Sequence, residues 1–270
     1  MPAIDVENVS YQYPSTGFAL RDITVQISRQ SFLALIGPNG SGKTTLLRLL
    51  SNAVQPHGGR ILFDGKPLSD VPPRELARQM AVIPSEQYFE FPFRVKDVVA
   101  MGRFPHIGRI GRMSAQDWEI VERALRETEL DHVKTRAVSE LSSGERQRVL
   151  VARAIAQSPA VLLLDEPNAH LDINHQISIF RLLRSLHEKR GITVVVVIHD
   201  LTAAAAFCKS VILLHLGKIV KSGIPEEVIT TDMIRQTYGA DVMVFPSPLG
   251  GFPQVTYQGF NREGAKARID

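Results

Sequence analysis

Three features of the sequence predict an α/β protein whose central sheet is parallel and interrupted by a helical insertion. Phe32 to Ile36, Val161 to Leu164 and Thr193 to Ile198 are almost wholly apolar. Strands without alternation are buried on both faces, as in a parallel sheet flanked by helices. From about Phe91 to Gln157 the apolar spacing becomes helical. Ahead of both, the first third reads as short strands separated by turns.

Taken in order, Ile4 to Val9 and Leu20 to Ile27 are the first strands, followed by "SFLALIG" and by "GRILFDGKPL", in which Asp64-Gly65 is a hairpin signal. Within the insertion, "SAQDWEIVERALRETEL" is the clearest helix. Ser114 and Asp117 make a capping-box start, and Trp118, Ile120, Val121, Ala124 and Leu125 supply an apolar stripe. "LSSGERQRV", Leu141 to Val149, places Ser-Ser-Gly at the mouth of a further helix that Pro159 closes. Such a turn offers hydroxyls and backbone N–H groups at a positive helix end, which suits an anion. Thr231 to Asp270 is richer in Gly and Pro, and its last ten residues read as a loose tail.

Composition limits the function classes. With 270 residues and 44% hydrophobic content the chain can bury a full core. No apolar run approaches the ~20 residues needed to span a bilayer, and "MPAIDVENVS" lacks a leader pattern, so a soluble, unexported chain is expected. A single cysteine, Cys208, excludes an intramolecular disulfide and a thiolate zinc site and fits a reducing cytosol. A net charge of +3 gives no ground for nucleic-acid binding. Part of it is local: Arg94, Lys96, Arg103, His106, Arg109 and Arg112 lie in a stretch whose one acid is Asp97. A solvated surface is the plain reading of that run.

The chemistry begins at "GPNGSGKTT", Gly37 to Thr45, between a buried strand and the helix start at Leu46 to Leu50. This is the phosphate-binding pattern G-x-x-x-x-G-K-[ST] in the context that makes it credible. Its glycines let N–H groups turn inward, Lys43 neutralises β- and γ-phosphate charge, and the Thr44 hydroxyl can ligate Mg²⁺. "VLLLDEP" ends a second buried strand in Asp165, placed to hold Mg²⁺, and Glu166, placed to polarise a water. "VVVVIHDL" ends a third in His199, on the sheet edge where α/β proteins bind ligands.

In order and spacing, Gly37 to Thr44, "LSSGE" at Leu141 to Glu145, Val161 to Asp165 with Glu166, "HLD" at His170 to Asp172, and His199 resemble the ATP-binding subunit of an ABC transporter. The resemblance implies a P-loop NTPase (RecA-like) core, with an N-terminal antiparallel β subdomain and an inserted α-helical subdomain. It places the ATPase domain at 1–240, with the core at about 1–90 and 158–230, the helical part at about 91–157, and a C-terminal extension at 241–270. It implies ATP and Mg²⁺ as cofactors and a second copy of the chain, because the signature turn of one subunit caps the γ-phosphate held by the other. Gly37, Pro38, Asn39, Gly40, Ser41, Gly42, Lys43, Thr44 and Thr45 would then cradle the phosphates. Ser142 and Gly144 would cap the partner's ATP, with Ser143 standing where glycine is more usual. Glu166 would be the general base, His199 the switch histidine and Asp172 an interface acid. "YQY" offers two rings, Tyr11 and Tyr13, to stack on adenine, and the position relative to Val9 favours Tyr13.

"FPFRVKDVVAMGRFPHIG" and "YGADVMVFPSPLGGFPQV" look like the importers of ferric siderophores, haem and cobalamin. That likeness implies a separate transmembrane permease, met by Arg94 to Arg112, an indirect partner in a periplasmic or surface substrate-binding protein, and a peripheral place on the cytoplasmic face of the inner membrane. A non-transport ATPase of the iron-sulfur assembly type is the alternative. One departure stands out in "AVIPSEQYFEFPF": most members carry a glutamine that reaches Mg²⁺ where this chain has Ser85, and the next glutamine, Gln87, lies two residues on. Either Ser85 takes the metal contact, directly or through water, or the loop bends to bring Gln87 there.

Overall fold

The computed structural model describes residues 2–14, 17, 19–85, 91–108, 111–169 and 171–257. Strands β1 (Pro2–Gln12) and β2 (Ala19–Ser28) precede β3 (Phe32–Ile36), which feeds helix α1 (Lys43–Leu50). β4 (Gly58–Phe63) and the short β5 (Lys66–Pro67) follow, then α2 (Pro73–Gln79) and β6 (Met80–Ile83). The helices α3 (Val95–Ala100), α4 (Ala115–Glu127) and α5 (Ser143–Ala156) come next. The chain returns through β7 (Val161–Asp165), α6 (Ile173–Arg190), β8 (Thr193–Val197), α7 (Leu201–Phe207) and the β9 (Ser210–His215)/β10 (Lys218–Gly223) hairpin. Two short helices, α8 (Pro225–Val228) and α9 (Thr231–Tyr238), lead to a second hairpin, β11 (Val242–Pro246) and β12 (Pro253–Tyr257).

The six-stranded sheet runs β10-β9-β3-β8-β7-β6, parallel except for the edge strand β10. An antiparallel sheet, β2-β1-β4-β5, forms a separate layer. The apolar runs of the parallel strands feed two cores at once. Phe32, Ala34 and Ile36 join α3–α7 on one side, whereas Leu33 and Leu35 join α1 and the antiparallel sheet on the other. Leu162 and Leu164 against Val161 and Leu163, and Val194 and Val196 against Val195 and Val197, divide the same way. Burial on both faces is the reason these strands do not alternate.

Helix α4 carries the expected capping box: the Asp117 N–H donates to Ser114 Oγ at 3.2 Å, and the Ser114 N–H donates back to Asp117 Oδ2 at 2.9 Å. Val121, Ala124 and Leu125 are buried, but Trp118 stands exposed, so the apolar stripe is narrower than the sequence implied. The basic run is not all surface either. Arg103 is buried, with its guanidinium donating to Asp117 Oδ1 (3.0 Å), the Ala156 carbonyl (2.7 Å) and Ser158 Oγ (3.3 Å).

The Ser114 hydroxyl and N–H, aided by Arg103, hold the Asp117 carboxyl down at about 2. A depressed carboxylate stabilises the fold fully above its unfolded pKa and loses that contribution as pH falls through the folded one. Asp117→Asn should therefore cost about 1 kcal/mol, or about 2–4 °C in thermal midpoint, at neutral pH. Calorimetry should show the gap from the parent closing as pH drops from about 4 toward 2.

At the C-terminus the Gly/Pro-rich segment contains a hairpin: β11 and β12 pair in register from Val242↔Tyr257 to Pro246↔Pro253. The hairpin is fastened by Val255 N–H to Thr202 Oγ1 (3.2 Å) on α7 and by Val244 N–H to Thr231 Oγ1 (2.9 Å) on α9. The expected loose tail, the last ten residues, lies outside the described residues.

Candidate functional site

The parallel strands deliver their C-terminal ends to one edge, and the chemistry gathers there. Between β3 and α1 the chain wraps as a loop whose last residue, Gly42, takes the left-handed conformation (φ 106°) and begins the helix with no side-chain cap. The first-turn N–H groups of α1 are thus left open to an anion. Gly37 runs so close to β9 that a Cβ there would sit 2.2 Å from the Leu214 carbonyl oxygen.

Lys43 is buried, and its Nζ donates to the carbonyls of Gly37 (2.8 Å) and Pro38 (3.0 Å). Burial pulls its ammonium pKa down, while Glu166 and Asp165 pull the other way. Thr44 Oγ1 donates to Asp165 Oδ1 at 3.2 Å, joining the first turn of α1 to the end of β7. Burial raises the Asp165 carboxyl, the Thr44 bond opposes this, and neighbouring Glu166 adds to the rise. Ser41 Oγ is buried and has no protein partner. An orphaned hydroxyl, a lysine resting on its own loop's carbonyls and a paired hydroxyl and carboxylate form a set that suits a polyphosphate with a hard cation.

Glu166, directly after β7, holds φ at 51°, a left-handed conformation that costs a non-glycine residue about 1–3 kcal/mol and tends to mark functional sites. Its Oε1 lies 2.6 Å from His199 Nε2, past the end of β8. A cavity of about 600 Å³ opens in front of this group, lined by Tyr13, Asn39, Gly40, Gly42 to Thr45, Arg48 and Glu166. Tyr13 borders it and receives a hydrogen bond from Arg48 Nη1 (3.2 Å). Tyr11 instead stacks on His57 (centroids 5.1 Å apart, 15° between planes) and meets Tyr13 edge-on. Arg48 was missed in the sequence, although Thr44 and Arg48 share a helix face at i,i+4 spacing and that signal was available.

The remaining sequence-predicted residues lie elsewhere. Ser142 caps α5, with its N–H and hydroxyl on Glu145 Oε2 (2.9 and 2.8 Å) and its Oγ accepting from the Glu145 N–H (3.2 Å). That box satisfies two of the four orphan N–H groups and leaves those of Ser143 and Gly144 for an incoming anion. Asp172 caps α6. None of Ser142, Ser143, Gly144 and Asp172 lines the lysine cavity, so the two anion sites of one chain do not converge. Ser85 is exposed two residues beyond β6, level with Glu166 through the Ile83↔Leu164 register, and is not among the cavity residues. Gln87 and His170 lie outside the described residues.

The model of the ABC transporter family matches residues 20–169. The ferric enterobactin transport ATP-binding protein of Escherichia coli K12 is 38% identical over 87% of this chain and 86% of its own length. Among solved structures, a chain of an inward-facing ABC transporter of the metal-chelate type superposes with a TM-score of 0.85 at 27% identity, covering 96% of this chain and 99% of that one. A bacterial ABC transporter cassette solved as a dimer gives 0.71 at 29% identity over 82% and 98%. With the phosphate cradle, the acid pair and the separate signature turn all in place, the chain belongs to the ABC transporter family, as its ATP-binding and ATP-hydrolysing subunit.

Proposed function

We propose that this subunit powers the import of an iron chelate through a separate permease, on the cytoplasmic face of the inner membrane, with a substrate-binding protein delivering the cargo. The cargo class rests on the likeness to the enterobactin system and to the metal-chelate transporter. The observation that carries the permease is a surface. Phe91 and Phe93 stand exposed with ring centroids 6.0 Å apart, next in the chain to the basic Arg94, and Phe104 is exposed further along the same basic stretch; exposed aromatic groups of this kind mark protein interfaces. Among the described residues no helix is long and apolar enough to cross a membrane.

In this reading two copies bind two ATP molecules head to tail. Lys43 and the loop N–H groups hold the β- and γ-phosphates, Tyr13 stacks on the adenine, and the partner's Ser143 and Gly144 N–H groups close over the γ-phosphate. Thr44 and Asp165 would hold Mg²⁺, which when bound neutralises charge on the phosphate oxygens. Glu166 takes the proton from the attacking water, and His199, 2.6 Å away, orients that carboxylate and stabilises its charge. Ser85 stands in for the usual glutamine with a weaker or water-mediated metal contact. Accordingly Ser85→Gln should tighten the Mg²⁺ dependence of hydrolysis at equal or higher rate, and an unchanged or weakened dependence would reject that placement.

The reading is tested by purifying the tagged chain from membranes of its own cell and identifying what accompanies it. An integral membrane permease is expected, lost with Phe104→Asp, together with uptake of an iron chelate that stops when the chain is deleted. Recovery of iron-sulfur assembly proteins with no membrane protein would reject import, and uptake of cobalamin with no iron chelate would reject the cargo.

A further inference from the structure

The geometry points to His175 as a positioning residue that ties the Asp172 loop to the Ser142–Gly144 turn of its own chain, so that the two meet the partner copy's nucleotide as one rigid unit. The inference rests on the two-copy reading given above and adds a residue that the sequence motifs do not contain.

Three bonds fix the loop to the start of α6. Asp172 Oδ1 accepts from the His175 N–H at 2.9 Å, Gln176 N–H donates to the Asp172 carbonyl at 2.9 Å, and Gln176 Nε2 donates to the Leu171 carbonyl at 2.8 Å. Asp172 Oδ1 also lies 2.9 Å from His175 Nδ1. A carboxylate is acceptor-only, so this ring nitrogen carries the proton and the imidazole plane is set by the acid.

The oriented ring lies against Gly144. A Cβ built on that glycine would sit 2.0 Å from His175 Cδ2 and 2.7 Å from both Cγ and Nε2, so the place of a side chain is filled by the imidazole. Gly144 is buried, while Ser142 and Ser143 beside it are exposed. In a helix the Cβ leans from the flank toward the N-terminus, the end at which the first-turn N–H groups also point. The ring therefore fills the place of a Gly144 side chain at the N-terminal end of α5.

One turn further along, a second rung repeats the link. Arg148 on α5 donates through Nη2 to Ser178 Oγ on α6 and through Nη1 to the Thr128 carbonyl at 3.0 Å. With both rungs, α5 and α6 carry their N-terminal turns at a fixed spacing. The His175 and Asp172 side chains are 43% and 65% exposed, and a pair so open contributes little to stability. Its geometric effect falls on what α5 and α6 jointly present.

The test uses the full chain and compares His175→Ala, His175→Gln, Asp172→Ala and the His175→Ala/Asp172→Ala double variant in steady-state ATP hydrolysis and thermal melting. If His175 acts through Asp172, His175→Ala should lower kcat about tenfold with KM for ATP moving less than about twofold, and the double variant should be no slower than the worse single one. His175→Gln, which keeps a donor on the same reach, should recover part of the loss, with melting temperatures of the two His175 single variants alike, whereas the variants lacking the Asp172 cap should melt somewhat lower. A kcat within about twofold of wild type in His175→Ala, or losses that multiply in the double variant, would overturn the coupling. So would a fall in melting temperature that matches the lost activity and is not relieved by glutamine. If Asp172→Ala and Ser142→Arg are also fully active, it is the two-copy reading that fails; if both are inactive while His175→Ala is not, the coupling alone fails.

Discussion

Glu166→Gln is expected to bring ATP turnover down by about a hundredfold or more while leaving ATP binding in place. The substitution keeps the size of the side chain and its ability to hydrogen bond, and removes the one carboxylate placed to take a proton beside Asp165. Its position makes the expectation specific. Left-handed backbone at Glu166 turns the side chain toward His199, and the 2.6 Å contact fixes it there. A glutamine can keep the bond to the imidazole yet cannot accept a proton from water. If, as proposed, the two copies close over ATP and open after hydrolysis, the variant should also accumulate as a nucleotide-bound dimer, visible by size exclusion in ATP and Mg²⁺. Hydrolysis at the wild-type rate would remove Glu166 from its role as base.

Lys43→Ala should act at a different step. The buried ammonium feels both Asp165 and Glu166 and, in the proposed reading, is the group that meets β- and γ-phosphate charge. Removing it leaves Asp165 and Glu166 facing an incoming polyanion with Arg48 as the one Lys or Arg side chain still lining the cavity among the described residues. A charge-assisted contact of this kind is worth about 1.5–3 kcal/mol, so affinity for ATP should fall by about 10- to 100-fold. Equilibrium titration with a fluorescent ATP analogue reads this directly. Unchanged affinity with lost turnover would show that Lys43 serves only the transition state. The contrast between the two variants, binding kept in one and lost in the other, separates the phosphate cradle from the chemistry.

What the sequence made legible follows from where its signals are local. The phosphate loop is read from nine consecutive residues, and the parallel strands from runs whose neighbours alternate between two cores. What it hid depends on distant partners. Arg103 reads as one more charge in a basic run, yet it is buried because acceptors more than fifty residues away, at Ala156 and Ser158, take its donors. The hairpin within the Gly/Pro-rich C-terminal stretch goes unread because its fastening points, Thr202 and Thr231, lie on other elements. The left-handed backbone at Glu166 has no signature in a residue type that ordinarily avoids it. His175 sits just past the Asp172 motif, and its significance appears only once α5 and α6 are side by side.

In the two-copy reading each hydrolytic site is assembled from the lysine cavity of one chain and the Ser142–Gly144 turn of the other. The direct measurement is ATP hydrolysis by Lys43→Ala chains, by Ser142→Arg chains and by an equal mixture of the two. Each homodimer pairs a damaged half with a sound one at both sites, whereas the mixed dimer contains one site with both halves sound. Each variant alone should be nearly inactive, and mixing should restore up to about a quarter of the wild-type rate, half of the dimers being mixed and each having one working site of two. That recovery would itself show both chains to be folded. Wild-type turnover by Ser142→Arg on its own, at any protein concentration, would contradict the account, because the signature turn would then lie outside the site that hydrolyses ATP.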